Sequence, residues 1–125
     1  MSGIKYLLDT NAIISLLSGN NHLNKKLNES DWVGVSIISQ LEFLSYTKLS
    51  EKDKQLFYTF IERVEVVNLN NNDVLLTEHI ISIRKNNKLK IPDAIIAASA
   101  ITYNCLLITN DKAYSKVTAL QAITY

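Results

Sequence analysis

Short apolar runs alternate along this chain with segments whose apolar residues recur every three or four positions. Residues 4–8 read as a short buried strand, closed by Asp9-Thr10-Asn11 as a turn and helix start. Ile13, Ile14, Leu16 and Leu17 carry that helix, Gly19-Asn20-Asn21 ends it, and a second short helix covers Leu23 to Leu27. Trp32 to Val35 is rich in the residues that strands prefer. From Ile37 to Lys48 the apolar spacing is helical again. Ser50-Glu51-Lys52-Asp53 has the pattern of a helix start, followed by a stripe of Leu56, Phe57, Phe60, Ile61 and Val64.

The second half repeats the alternation. Glu65 to Leu69 is a third strand, Asn70-Asn71-Asn72 a break, and Asp73 to Lys85 a helix. Pro92 suits the first residue of a helix running to about Tyr103. Leu106 to Thr109 is a fourth strand, and Leu120 to Tyr125 a fifth at an edge. Strands alternating with helices predict the α/β class: an α/β/α sandwich around a central, mostly parallel sheet of four or five strands. With 125 residues and neither internal repeats nor a Gly/Ser- or Pro-rich linker, one domain spanning 1–125 is expected.

Composition narrows the setting more than the chemistry. Hydrophobic residues at 47% and charged residues at 20% suit a globular domain with a core rather than a disordered chain. No apolar stretch approaches the ~20 residues of a membrane span, and the N-terminus lacks the pattern of a signal peptide. Cys105 is the only cysteine, so no intrachain disulfide forms, and the cytoplasm is the expected compartment. Beside its apolar neighbours Cys105 reads as a small buried hydrophobe. The net charge of +1 favours no partner, but Arg84, Lys85, Lys88 and Lys90 form a local basic patch. Such a patch either holds phosphates or complements a helix C-terminus.

Candidate chemistry lies in four carboxylates at turns between elements: Asp9, Glu42, Asp93 and Asp111. Each has a plain structural explanation. Asp9 suits an N-cap, Asp93 the positive end of a helix dipole, and Asp111 a turn. Ser39-Gln40-Leu41-Glu42 has the form of a capping box, in which Glu42 reaches back to the Ser39 amide. Taken together, Asp9, Asp93 and Asp111 fall at the end of a parallel sheet where ligands bind. Carboxylates crowded there repel one another unless protonated or bridged by a metal, and an all-oxygen set selects Mg2+ or Mn2+. Zinc is disfavoured, because His22 and His79 have no ligand spacing and read as surface residues.

Other acidic α/β sites fail on particular positions. A phosphoaspartyl enzyme needs an acid where Asn11 stands, and a receiver domain needs adjacent acids where Leu8 and Thr10 flank Asp9. Neither a phosphate-binding glycine loop nor a Gly-x-Ser-x-Gly elbow is present. Metal-dependent hydrolysis remains.

Leu8-Asp9-Thr10-Asn11, Glu42 after Ser36-x-x-Ser39, Lys90-Ile91-Pro92-Asp93-Ala94-x-Ile96-Ala97-Ala98 and Thr109-Asn110-Asp111 together resemble the PIN domain. The group they most resemble is the VapC-type toxins of toxin–antitoxin pairs. The resemblance spans nearly the whole chain. It implies an endoribonuclease that uses Mg2+ or Mn2+, with Asp9, Glu42, Asp93 and Asp111 as the acidic quartet. Asn11 and Thr109 match the polar residues behind it. Lys88 and Lys90 become candidates for RNA phosphates. Also implied are an antitoxin partner, a homodimer and a larger toxin–antitoxin assembly. Phe43, Tyr46, Phe57 and Phe60 then either line a groove for an antitoxin helix or belong to the core. Two rival readings are an RNA-processing nuclease without an antitoxin and a non-catalytic RNA-binding module.

Overall fold

The computed structural model describes residues 3–125. Five strands form one sheet in the order β3-β2-β1-β4-β5, and every pairing is parallel. They are β1 (Lys5–Leu8), β2 (Trp32–Ser36), β3 (Glu65–Val67), β4 (Leu106–Ile108) and β5 (Ala122–Ile123). The helices are α1 (Thr10–Leu17), α2 (Asn21–Asn28), α3 (Ile37–Leu44), α4 (Glu51–Ile61), α5 (Val74–Asn87) and α6 (Ile91–Thr102). A single 3-10 turn, Lys112–Lys116, separates β4 from β5.

Alternation along β1 explains the layers. Successive strand side chains face opposite ways. Leu7 packs into one core with Leu107, Leu76 and Ile83 of α5, and Ala97, Ala98 and Ala100 of α6. Tyr6 and Leu8 face a second core with Ile13, Leu23, Leu27, Val35, Phe43, Phe57 and Ile108. The sheet is therefore covered on both faces, as parallel sheets require. Helix α6 is buried from Ala94 to Ala100, which explains a helix that is apolar on nearly every side.

The predicted elements are all present, with changes at their ends. The helix expected to reach Lys48 stops at Leu44, where the Ser45 hydroxyl donates to the Leu41 carbonyl at 2.6 Å. Pro92 is the second helical residue of α6, after Lys90 as N-cap. The helix start expected at Ser50 to Asp53 is present, and there Ser50 and Asp53 form a capping box with both reciprocal bonds. Cys105 is buried, and burial pushes its thiol pKa up. His22 is exposed, but His79 is not a plain surface residue: its Nδ1 lies 2.9 Å from the Thr102 hydroxyl, tying α5 to α6. Among the described residues no helix is long and apolar enough to cross a membrane.

Candidate active site

Strand order reverses at β1. The chain moves from β1 outward to β2 and β3, then returns to the other side of β1 with β4. A crevice opens at the carboxyl ends of strands flanking such a reversal. Register makes its floor: Leu8 pairs with Ile108, so the next residues, Asp9 and Thr109, emerge side by side. The Asp9 amide donates to the Ile108 carbonyl at 3.2 Å, continuing the ladder by one bond.

Around this point lies a cleft of about 450 Å3 whose walls include Asp9, Asn11, Glu42, Asp93 and Asp111. The four carboxylates therefore come from four separate segments: the start of α1, the last turn of α3, the first turn of α6 and the turn after β4. Asn11 is exposed on the same wall. Thr10, Tyr46 and Tyr114 complete much of the remainder.

Each acid is held by a neutral donor. Asp9 is 5% exposed; Oδ1 accepts from the Ala12 amide at 2.8 Å and Oδ2 from the Thr109 hydroxyl. Glu42 Oε1 accepts from the Thr10 hydroxyl at 2.7 Å. Asp93 Oδ1 accepts from the Tyr114 phenol at 3.3 Å. Asp111 Oδ1 accepts from the Ala113 amide at 2.9 Å, while its own amide donates to Thr109 Oγ1 at 3.0 Å. None of the four takes part in an ion pair among the described residues. Neutral donors orient a carboxylate without cancelling its charge.

The charge has consequences for the groups nearest the floor. Burial raises the Asp9 pKa above the ordinary carboxyl value; the Thr109 and Ala12 bonds oppose this, and Asp111 and Glu42 add to it. Burial also pushes the Tyr114 phenol far up, reinforced by the charges of Asp93, Asp9 and Asp111, so it stays a donor. An all-oxygen, carboxylate-rich set with no cationic side chain fits a hard divalent ion. No three acidic, His or Cys side chains among the described residues stand close enough to form a ready-made metal cluster. Mg2+ tolerates such spacing, because it retains several waters and takes one or two direct carboxylates.

The expected capping box at Ser39 is not formed. Ser36 is the N-cap of α3, accepting from the Ile38 amide at 3.1 Å. Ser39 lies inside the helix, fully buried, and its hydroxyl has no hydrogen-bond partner among the described residues. Glu42 is thereby free to meet Thr10 instead. Sequence reasoning missed Thr10 and Tyr114; each acts over a gap of 32 or 21 residues that no local pattern reports.

The basic patch and the aromatics divide. Arg84 and Lys85 close the last turn of α5, where cations complement the helix dipole. Lys88 caps that helix in the left-handed region, φ 55°, and Lys90 caps the start of α6; both are exposed and lie off the cleft wall. Phe43 and Phe57 are core, stacked with centroids 4.5 Å apart. Tyr46 is exposed at the cleft. Phe60 lines a different groove of about 650 Å3, with Leu16, Leu17, Leu27, Leu56 and Val64 from α1, α2 and the α4 region.

A doubly covered parallel sheet with an acidic crevice at its switch point defines a class of α/β proteins that bind ligands at strand ends. Within that class the chain belongs to the PIN domain family, whose sequence profile matches residues 6–120. Comparison with curated protein sequences gives no significant match. Among solved structures, a toxin–antitoxin complex from Klebsiella pneumoniae is 26% identical with a TM-score of 0.77, covering 95% of this chain and 96% of that one. VapBC-1 from nontypeable Haemophilus influenzae is 25% identical with a TM-score of 0.79, covering 97% and 98%. VapBC2 from Rickettsia felis, bound to a promoter DNA fragment, shares the fold at 21% identity and a TM-score of 0.81, covering 98% and 99%.

Proposed function

We propose that this chain is a Mg2+- or Mn2+-dependent endoribonuclease that acts as the VapC-type toxin of a toxin–antitoxin pair. One observation carries the chemistry: four carboxylates from four segments line one cleft, each oriented by a neutral donor and none neutralised by a cation. Such a cleft repels bare phosphate, so binding RNA there requires positive charge that the side chains do not supply. A bound divalent ion supplies it, polarising a phosphoryl oxygen and making water a better nucleophile.

In this reading Asp9, Asp93 and Asp111 would hold the ion, one or two directly and the rest through its retained waters, and Glu42 would orient the attacking water and accept its proton. Water oxygen bonds to phosphorus as the bond to the 3′ oxygen breaks. That oxygen takes a proton, leaving a 3′-hydroxyl and a 5′-phosphate. Thr109 fixes Asp9, and Asn11 offers an amide to the same wall. Lys88 and Lys90 contact backbone phosphates outside the cleft, which positions RNA without reading its sequence.

An antitoxin partner is supported by the Klebsiella pneumoniae relative, whose structure is a toxin–antitoxin complex. The apolar groove containing Phe60 is the surface we assign to an antitoxin helix. A homodimer within a larger toxin–antitoxin assembly, located in the cytoplasm, completes the proposal. Expression of the chain with and without its neighbouring gene, followed by sequencing of RNA 5′ ends, tests it. Growth arrest with a discrete cleavage site is expected, lost in Asp93→Asn and relieved by the neighbour. Unchanged RNA and growth on expression alone would overturn it.

A further inference from the structure

Tyr114 is almost wholly buried, yet its phenol ends at the cleft rather than in the core. The ring packs among the residues between the sheet and α6. The hydroxyl donates to Asp93 Oδ1, the only hydrogen bond that carboxylate makes among the described residues. Asp93 sits in the first turn of α6, half-buried, with Asp9 and Asp111 on the same wall. Like charges nearby favour rotation of its carboxylate outward. A single neutral donor opposes that rotation while leaving the full negative charge and the second oxygen available.

The phenol also joins two parts of the site. Tyr114 lies in the 3-10 turn that Asp111 caps, and the Asp111 amide rests on Thr109, whose hydroxyl holds Asp9. The segment 109–114 thus reaches Asp9 at one end and Asp93 at the other. That short turn therefore touches both acids through side-chain hydroxyls.

We infer that Tyr114 is a positioning residue that fixes the Asp93 carboxylate relative to Asp9 and Asp111 and so sets the affinity of the cleft for a divalent cation. The inference rests on the reading of the cleft as a cation site. Removing a partner that orients a metal ligand characteristically weakens metal binding by ten- to a hundredfold.

The test compares the full native chain with Tyr114→Phe, which keeps the buried ring and removes only the hydroxyl. Binding of Mn2+ alone is read from the electron paramagnetic resonance signal of the free ion, beside RNA cleavage titrated with Mn2+ and thermal melting. The expected result is a rise of about tenfold in the Mn2+ dissociation constant. Cleavage should recover at saturating Mn2+, and melting should remain cooperative. A purely structural tyrosine would lower the melting temperature and leave the Mn2+ constant unchanged; that result overturns the inference while leaving the cation site standing. Native protein that binds no Mn2+ overturns both. Native protein that binds Mn2+ in a Tyr114-dependent way yet cuts no RNA supports the inference and removes only the nuclease assignment.

Discussion

Thr109 and Asp9 stand 100 residues apart in the chain and are joined by one hydrogen bond, from the threonine hydroxyl to Oδ2 of the aspartate. The parallel register of β1 and β4 brings them together, and both are buried. Thr109→Val keeps the branched shape that suits a strand end but leaves Oδ2 without that donor. It also removes the acceptor for the Asp111 amide. An unsatisfied buried acceptor costs about 1–3 kcal/mol, so chemical denaturation should show a loss in that range. The Asp9 pKa should rise further, measurable by carbon NMR of the carboxyl group.

Burial already holds the Asp9 pKa above its unfolded value of 3.8, and this fixes a pH dependence. Between the unfolded value and the higher folded one, the native state binds more protons than the unfolded chain. Stability therefore falls as pH rises through that window, and the penalty persists at neutral pH. In cation-free buffer Asp9→Asn should melt higher than the native chain at pH 7, and the two should converge below about pH 4. Divalent ions should reverse the order if the native cleft binds them as proposed. At a concentration one hundred times the dissociation constant the gain is about 2.7 kcal/mol. Calorimetry with and without Mn2+ reads both effects.

How far the sequence could go is clearest at α3. Periodicity located the helix, and Ser-x-x-Glu suggested its start at Ser39, but Ser36 satisfies the same backbone need three residues earlier. Both serines are fully buried, and local pattern cannot tell which of them ends the strand and caps the helix. The same limit hid Thr10 and Tyr114, whose partners lie 32 and 21 residues away in the chain. Asp9, Asp93 and Asp111 were legible, because strand ends and helix starts are local features; Glu42, expected at a turn between elements, lies instead within α3.

Ser39 supplies a direct stability prediction. Its hydroxyl is fully buried without a partner, a cost of about 1–3 kcal/mol in mutational experiments. Ser39→Ala removes the hydroxyl and adds helix propensity. Urea denaturation should show a gain of about 1 kcal/mol. A loss of that size instead would mean that a water satisfies the hydroxyl in solution.

Gly34 is where β2 has no room for a side chain. A methyl group built there falls within the Trp32 indole, which lies over the glycine. The indole is also held by the Lys5 ammonium, 5.2 Å from its centroid, and that ammonium donates to the Tyr103 carbonyl at 2.7 Å. Gly34→Ala must displace the ring and break this arrangement on the strand next to β1. Overpacking of this kind costs about 1–3 kcal/mol. Tryptophan fluorescence isolates the effect, since Trp32 is the only tryptophan. A shifted emission maximum with a lower denaturation midpoint is expected, whereas unchanged emission and stability would show that the ring does not cover Gly34.

Thr10 offers the sharpest separation of chemistry from stability. Its hydroxyl donates to Glu42 Oε1 at 2.7 Å, joining the first residue of α1 to the last turn of α3. Glu42 is exposed, so losing this bond leaves no buried charge behind, and stability should change by less than about 0.5 kcal/mol in Thr10→Val. If Glu42 orients the attacking water, its freed carboxylate samples other rotamers and the cleavage rate at saturating Mn2+ should fall about tenfold. Thr10→Ser retains the donor and should recover most of that rate. Affinity for Mn2+ should move little, in contrast to the Tyr114→Phe variant, because the proposed roles assign Glu42 to the water and the aspartates to the ion. A Thr10→Val variant that loses Mn2+ affinity and keeps its saturated rate would move Glu42 from the water to the metal.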